Sequence, residues 1–140
     1  MKRILTIALV VIGVSGVLWM AKGWTLRKGD DKIAKFNADC DNLILGIQQY
    51  REFVGSYPGG NNAAIAKALL GQTEKKVLIL AVRRSDMNDK GEMLDPWRTP
   101  LQFYFSHNEV MIRSAGPNKV FEDSATLSAD DLYRCAGKEK

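Results

Sequence analysis

The sequence has few of the residues on which most small enzymes and metal proteins depend. It contains one histidine and two cysteines in 140 residues. Cys40 and Cys135 lie far apart, and neither has a second Cys or a His at metal-ligand spacing, so we expect no zinc site. No Gly-x-Ser-x-Gly motif, phosphate loop or dinucleotide fingerprint accompanies His107. We therefore predict that the chain is not an enzyme and interpret His107 as a polar turn residue. The alternative, an enzyme on a small scaffold, would need a clustered acid pair around Asp95.

A concentrated basic surface is also lacking. The formal net charge is +4, but the basic residues are spread along the chain and form no stripe interleaved with aromatic residues. Nucleic-acid-binding proteins usually carry such a patch, so we do not expect nucleic acid as a partner.

The N-terminus, in contrast, carries one long apolar run. Ile4 to Ala21 contains 18 residues without a charge, a length of ~27 Å as a helix, close to the thickness of the hydrocarbon core of a bilayer. Lys2 and Arg3 precede the run, so the positive-inside rule predicts a single-pass membrane protein whose remainder lies outside the cytoplasm. A cleaved signal peptide is the alternative, but "LWMAKGW" is a poor cleavage site. We predict an anchor over residues 1–24 and an extracytoplasmic domain over residues 25–140.

A domain outside the cytoplasm would be in an oxidising compartment, where the two cysteines could be bonded or free. Cys40 and Cys135 could form one disulfide that ties the C-terminal tail to an early helix, or both could be free thiols. Both alternatives fit the sequence.

Residues 25–140 have the pattern of an α+β domain. Apolar residues at a three-and-four spacing predict an amphipathic helix from Asp30 to Val54. A short helix is expected over Asn61 to Gly71, with an Asn cap and a Gly stop. "KKVLILAV", residues 75–82, could be a strand or an extended segment. "LQFYFS" and "EVMIRSAG" alternate like strands joined by a tight "HN" turn, and we expect this hairpin to pack on the long helix.

Two prolines stiffen the corner "LDPWRTP" ahead of this hairpin. Pro96 and Pro100 restrict their own φ angles and bias the preceding residues toward extended backbone. We predict that Trp97 folds into the core and anchors the corner, which is a structural role.

Carboxylates gather after the hairpin. The segment "EDSATLSADD" contains Glu122, Asp123, Asp130 and Asp131 within ten residues. Calcium needs several converging oxygens, and a flexible loop can supply them, although the spacing does not fit an EF-hand. The alternatives are a solvated acidic loop, or a short helix formed by "ADDLYR" and capped by Ser128.

Three segments in this order carry a family resemblance: "YREFVGSYP", then "LDPWRTPLQFYF", then "IRSAGPNKVFEDSATLSADDLYR". Together they resemble the major, G-type pseudopilin of type II secretion systems, a member of the type IV pilin-like family. The resemblance covers residues 30–133 loosely and 92–131 closely. It implies a pilin-like fold, in which a long N-terminal helix is first membrane-spanning and then amphipathic. That helix packs on a small antiparallel β-sheet followed by a C-terminal acidic loop.

The same resemblance implies a location, a function and partners. The chain would be a single-pass inner-membrane protein with residues 25–140 as a pseudopilin-like domain in the periplasm. Subunits of this family assemble into a short periplasmic fibre with copies of themselves or homologous pseudopilins, on an inner-membrane platform, for protein secretion across the outer membrane. It also implies a calcium site. Asn118 stands where the family has Asp, Asp130 and Asp131 match its later acidic ligands, and backbone carbonyls near Ser114 and near Val120 or Phe121 would complete the shell.

The sequence departs from the family pattern at three places. The apolar run contains no Phe-Thr-Leu-x-Glu and no Glu, Arg98 replaces the usual Gly, and Asn118 replaces the turn aspartate. The first departure favours an alternative function. In that alternative, the chain is a membrane-tethered periplasmic accessory or binding domain that keeps the fold and does not polymerise.

Overall fold

The structure, a computed structural model, describes residues 29–79, 82–122 and 130–137. The apolar run from Ile4 to Ala21 lies outside the described residues, and so does the predicted domain boundary at residue 24. Among the described helices, none has both the length and the apolar character that crossing a membrane requires. The chain divides into two compact units, Met1–Ala34 and Lys35–Lys140. Of the first unit only residues 29–34 are described, and they are helical.

The first described helix, α1, covers residues 29–54 and confirms the predicted amphipathic helix. Its buried side chains follow the three-and-four spacing of one helix face: Phe36, Cys40, Leu43, Ile44, Ile47 and Tyr50. Gly55, which follows the helix, has a φ of +86°, and its N–H donates to the Arg51 carbonyl at 2.8 Å. A left-handed glycine directly after the last turn is a common helix ending.

Helix α2, Asn62–Leu69, confirms the second predicted helix. The Asn61 side chain accepts a hydrogen bond from the Ala64 N–H at 3.0 Å, as expected of an N-cap. Gly71 follows with a φ of +68°. The apolar segment after it runs back along the end of α2 and forms one isolated bridge, Leu70 with Leu78. Residues 77–79 are thus extended, whereas Lys76, with a φ of +49°, still belongs to the turn before them; residues 80–81 lie outside the description.

Three antiparallel strands form the sheet: β1 is Gln102–Phe105, β2 is Glu109–Ser114 and β3 is Leu132–Gly137. The strand order is β1-β2-β3. The predicted hairpin is confirmed, because Ser106 and Glu109 exchange hydrogen bonds across the two-residue loop that contains the exposed His107. The hypothesis of a short helix within "ADDLYR" is wrong, since Leu132 to Arg134 belong to β3 and pair with β2. Partner hydrogen bonds along β2 outweigh the weak local preference of this short segment.

The inner face of the sheet carries the core. Val110 and Ile112 of β2 are fully buried, and the alternate side chains Phe103, Phe105, Leu132 and Ala136 of the edge strands pack against the same cluster as α1. Trp97 also belongs to this cluster, as predicted. The described part of the chain is therefore an α+β domain with a long helix on one face of a three-stranded antiparallel sheet.

The two cysteines are both free thiols, so the disulfide alternative is not the arrangement in the structure. Cys40 is buried on α1, which lies against the inner face of the sheet, where Arg134 of β3 donates to Asp41 of the same helix. Cys135 follows Arg134 in β3 and is exposed. Successive side chains of a strand point to opposite faces, so Cys135 lies on the outer face, away from Cys40.

Candidate functional site

The corner before the hairpin is built around a buried carboxylate. Asp95 is 3% exposed, and its Oδ1 accepts hydrogen bonds from the backbone N–H groups of Trp97, at 2.9 Å, and Thr99, at 2.8 Å. The intervening Arg98 has a φ of +73°, in the left-handed region that favours glycine. Asp95 therefore closes the turn that Pro96 and Pro100 stiffen.

The other oxygen of Asp95 connects this corner to β2. Ser114 is fully buried at the end of β2, and its Oγ donates to Asp95 Oδ2 at 2.6 Å while accepting from the Gly116 N–H at 3.1 Å. The Ser114 hydroxyl thus both donates and accepts a hydrogen bond. The Ser114 side chain therefore connects β2 to the corner, and the calcium contact that the family resemblance implies for the backbone carbonyl near Ser114 stays a prediction.

Beyond Ser114 the chain enters a turn that requires glycine. Gly116 has a φ of +65°, and a Cβ at this position would lie 2.3 Å from the backbone oxygen of Asp130. Real Cβ atoms essentially never approach a backbone atom so closely. The "GPN" turn and the segment just before β3 are therefore packed backbone against backbone.

Three carboxylates gather beside this turn. Glu122, Asp130 and Asp131 each offer one oxygen, and these oxygens lie within 4.8 Å of one another. Asp130 and Asp131 are two of the residues predicted to bind calcium. Glu122, which the sequence analysis named only as part of the acidic segment, joins them because the turn folds residues 116–122 back toward the start of β3. Asp123 lies outside the described residues.

Asn118, the third predicted ligand, lies beside the cluster and orders it. Its backbone N–H donates to Asp130 Oδ2 at 3.1 Å, and its Nδ2 donates to Glu122 Oε1 at 3.1 Å. Its own side-chain oxygen already accepts from the Val120 N–H at 2.8 Å. The amide of Asn118 thus joins the turn to two carboxylates, and its oxygen is engaged within the turn.

Arg113 supplies a positive charge that the sequence analysis missed. Its Nε donates to Asp131 Oδ2 at 2.7 Å, and its Nη2 donates to the same oxygen and to the Glu122 carbonyl. The guanidinium lies over the rings of Phe121 and Tyr133, at 5.2 and 5.4 Å from Cζ to the ring centroids. The hydrogen bond to Asp131 raises the pKa of Arg113 above its usual value. An alternating strand pattern placed Arg113 on the outer face of β2 but gave no sign of its partner 18 residues away.

Arg113 does not satisfy the whole cluster. The Asp131 side chain is 1% exposed, yet its Oδ1 and the Oδ1 of Asp130 are buried without a hydrogen-bond partner among the described residues. Three carboxylates and one guanidinium leave two net negative charges. Unpaired buried oxygens at this charge fit a hard divalent cation such as calcium, which binds carboxylate and carbonyl oxygens.

Comparison with known proteins found no relative. No protein-family model, no curated protein and no solved structure matches the chain. The function therefore has to be argued from the residues of the chain and from their arrangement.

Proposed function

We propose that the chain is a structural subunit of a type II secretion-like pseudopilus, anchored in the inner membrane by its N-terminal segment, with the α+β domain in the periplasm. In this role it packs with copies of itself or with homologous pseudopilins on an inner-membrane platform and takes part in protein secretion across the outer membrane. The observation that carries the proposal is the acidic cluster of Glu122, Asp130 and Asp131, which lies at the C-terminal end of β2 in a helix-plus-sheet domain.

The corner at Asp95 supports the same proposal. In the family that the sequence resembles, a Gly stands where this chain has Arg98. The φ of +73° at Arg98 is a conformation that glycine adopts without strain. Trp97 beside it is buried in the core. The local backbone thus suits the family's residue even where the side chain differs, and the Nη1 of Arg98 bonds the Ser85 carbonyl at 2.5 Å, which offsets part of the strain.

Calcium is the cation we propose for the cluster, held by Asp130, Asp131 and Glu122. A bound divalent cation would supply the two missing positive charges and order the loop. Calcium should therefore raise the unfolding temperature of the full-length protein, since a ligand of the folded state stabilises it by mass action. Asp130→Asn should abolish this increase, whereas Asp89→Asn, at an exposed carboxylate outside the cluster, should leave it unchanged. An equal calcium effect in both variants would contradict the site.

The orientation of the domain can be tested with its native thiols. Cys135 is exposed and Cys40 is buried. If the domain is periplasmic, a membrane-impermeant maleimide should label intact cells with a permeabilised outer membrane, after mild reduction, and Cys135→Ser should abolish the labelling. Labelling that requires disruption of the inner membrane would refute the predicted topology.

Assembly distinguishes the subunit from the alternative. Leu45 is 57% exposed on α1, on the side away from the core. With Cys135 retained, Leu45→Cys gives each subunit two exposed thiols, so a short bifunctional maleimide can join it to two neighbours and should give a ladder of multimers from native membranes if the chain polymerises. A purely monomeric pattern would favour the tethered accessory or binding domain, which the missing Phe-Thr-Leu-x-Glu motif supports.

A further inference from the structure

Arg113 lies in the acidic cluster although it comes from the sheet and not from the loop. It occupies the outer face of β2, where it pairs in register with Gln102 of β1 and Tyr133 of β3. From there its guanidinium reaches the loop and contacts Asp131 and the Glu122 carbonyl. A basic side chain inside a cluster of carboxylates lowers the net negative charge of the cluster. It also determines which carboxylate oxygens remain available to bind a cation.

The charge effect follows from counting the groups. Glu122, Asp130 and Asp131 contribute three negative charges, and the guanidinium removes one. The cluster therefore has two net negative charges with Arg113 and three without it. Electrostatic attraction grows with the charge of the cation, so each added negative charge favours a trivalent cation over a divalent cation of similar size.

The geometric effect concerns one carboxylate. Both Nε and Nη2 of Arg113 donate to Oδ2 of Asp131, while Oδ1 of the same carboxylate is buried and has no hydrogen-bond partner among the described residues. The aromatic rings of Phe121 and Tyr133 lie against the guanidinium. These contacts restrict the rotation of the guanidinium. The guanidinium in turn orients Asp131, so that Oδ2 accepts its hydrogen bonds and Oδ1 is left for another ligand.

We propose that Arg113 is the specificity-determining residue of the cation site: it neutralises one of the three carboxylates and holds Asp131 so that the site is matched to a divalent cation. This inference rests on the proposed cation site at Glu122, Asp130 and Asp131. Arg113 does not contact the cation itself but acts through Asp131, so it is a positioning residue. A purely structural salt bridge would affect stability and leave the relative affinity for two cations unchanged.

The test is the ratio of terbium to calcium affinity, measured on the purified full-length chain in detergent at fixed ionic strength. Terbium binding is followed by its luminescence, and calcium binding by displacement of terbium. Arg113→Gln raises the charge of the cluster to three, and we expect the ratio to rise about tenfold, the order of magnitude for one unit charge several ångströms away in a partly solvated site. Arg113→Lys keeps the charge and should keep the ratio within about twofold.

Two further variants, Glu122→Gln and Arg113→Gln/Glu122→Gln, test the charge effect in a second way. Glu122→Gln alone lowers the net negative charge to one and should lower the ratio. The double variant Arg113→Gln/Glu122→Gln returns the charge to two and should return the ratio toward that of the unmodified chain. Circular dichroism confirms that each variant compared is folded. If Arg113→Gln alone does not fold, the folded double variant is compared with Glu122→Gln; the two differ only at Arg113, and the ratio should be higher in the double variant.

Three results would overturn the proposal: an unchanged ratio in folded Arg113→Gln, an equal change in Arg113→Lys, or no binding of either cation by the unmodified chain. These results are separable from failure of the pseudopilin proposal. Multimer ladders without cation binding would retain the subunit and refute the role of Arg113. A charge-dependent ratio without ladders would retain the role of Arg113 and refute the subunit.

Discussion

Replacing Asp95 should destabilise the domain more than replacing any exposed carboxylate. Asp95 accepts three hydrogen bonds, from the N–H groups of Trp97 and Thr99 and from the Ser114 hydroxyl. Asp95→Ala removes the acceptor of all three donors in a buried setting, where each unsatisfied group costs about 1–3 kcal/mol. Because the neighbouring backbone can relax and admit water, we expect a total loss of about 4 kcal/mol, a large share of the 5–15 kcal/mol typical of small domains.

Two further variants separate the charge of Asp95 from its geometry. Asp95→Asn keeps one oxygen for the two backbone donors and an NH2 group that can donate to the hydroxyl of Ser114, so we expect a loss of only about 1–2 kcal/mol. Ser114→Ala leaves Oδ2 of Asp95 and the Gly116 N–H without this partner and should cost about 2 kcal/mol. The double variant Asp95→Ala/Ser114→Ala should lose less than the sum of its singles, because the two residues share one hydrogen bond.

The assay is denaturant unfolding of the full-length protein in mild detergent, followed by Trp97 fluorescence. Trp19 and Trp24, the other two tryptophans, are replaced by Phe so that the signal reports the corner itself. Additive losses in the double variant, or a loss below about 0.5 kcal/mol for Asp95→Ala, would refute the role of Asp95 as the brace between the corner and β2.

Three other predictions follow from single contacts. Arg134 donates to both oxygens of Asp41 and holds its pKa below the ordinary 3.8. The stabilisation is therefore present above pH 4 and lost as the pH falls through the lower folded-state pKa, so Asp41→Asn should reduce the unfolding temperature slightly at pH 7 and by less at pH 2. Burial raises the pKa of the Cys40 thiol from 9.0 to about 12; the free energy of unfolding should fall as the pH rises from 9 toward 12, and Cys40→Ala should reduce this slope. Gly116→Ala should cost more than about 3 kcal/mol because of its backbone clash, whereas Gly91→Ala, with a similar φ but open space around it, should cost about 1 kcal/mol.

Each of these has a result that would contradict it. An Asp41→Asn effect that is as large at pH 2 as at pH 7 would mean that the carboxylate charge is not its source. A pH slope that Cys40→Ala leaves intact would assign the alkaline instability to other groups. Equal costs for the two glycine variants would indicate that the positive φ, and not the contact with the Asp130 backbone, determines the requirement at Gly116.

The parts of the fold that the sequence predicted are those with local causes. Helix α1 was predictable from the spacing of its buried residues, and α2 from the Asn61 cap, since both signals lie within a few residues of the backbone that they control. The hairpin was predictable from two alternating segments around a two-residue turn. Strand β3 was not, because "LYRCAG" has no strong local preference and becomes a strand only when the long connection returns it to the free edge of β2.

In the candidate site, too, some residues were predictable from the sequence and others were not. Composition indicated only an acidic segment, and the family resemblance singled out Asp130, Asp131 and Asn118 within and beside it as cation ligands. The resemblance also implies a backbone carbonyl ligand near Ser114, and this stays a prediction. The contact of the Ser114 hydroxyl with Asp95, 19 residues away, has no local signal in the sequence. Glu122 enters the cluster only through the fold of the turn.

By itself the sequence determined the amphipathic helix, the stiff corner, the hairpin and the presence of an acidic segment, because periodicity, proline geometry and composition are properties of adjacent residues. Only the tertiary structure decided that Cys40 and Cys135 lie on opposite sides of the sheet and that Arg113 enters the acidic cluster. The physical reason is that these outcomes depend on strand register and on chain closure between distant residues. A shift of one residue in the pairing of β3 would move Cys135 to the inner face and Arg134 to the outer face.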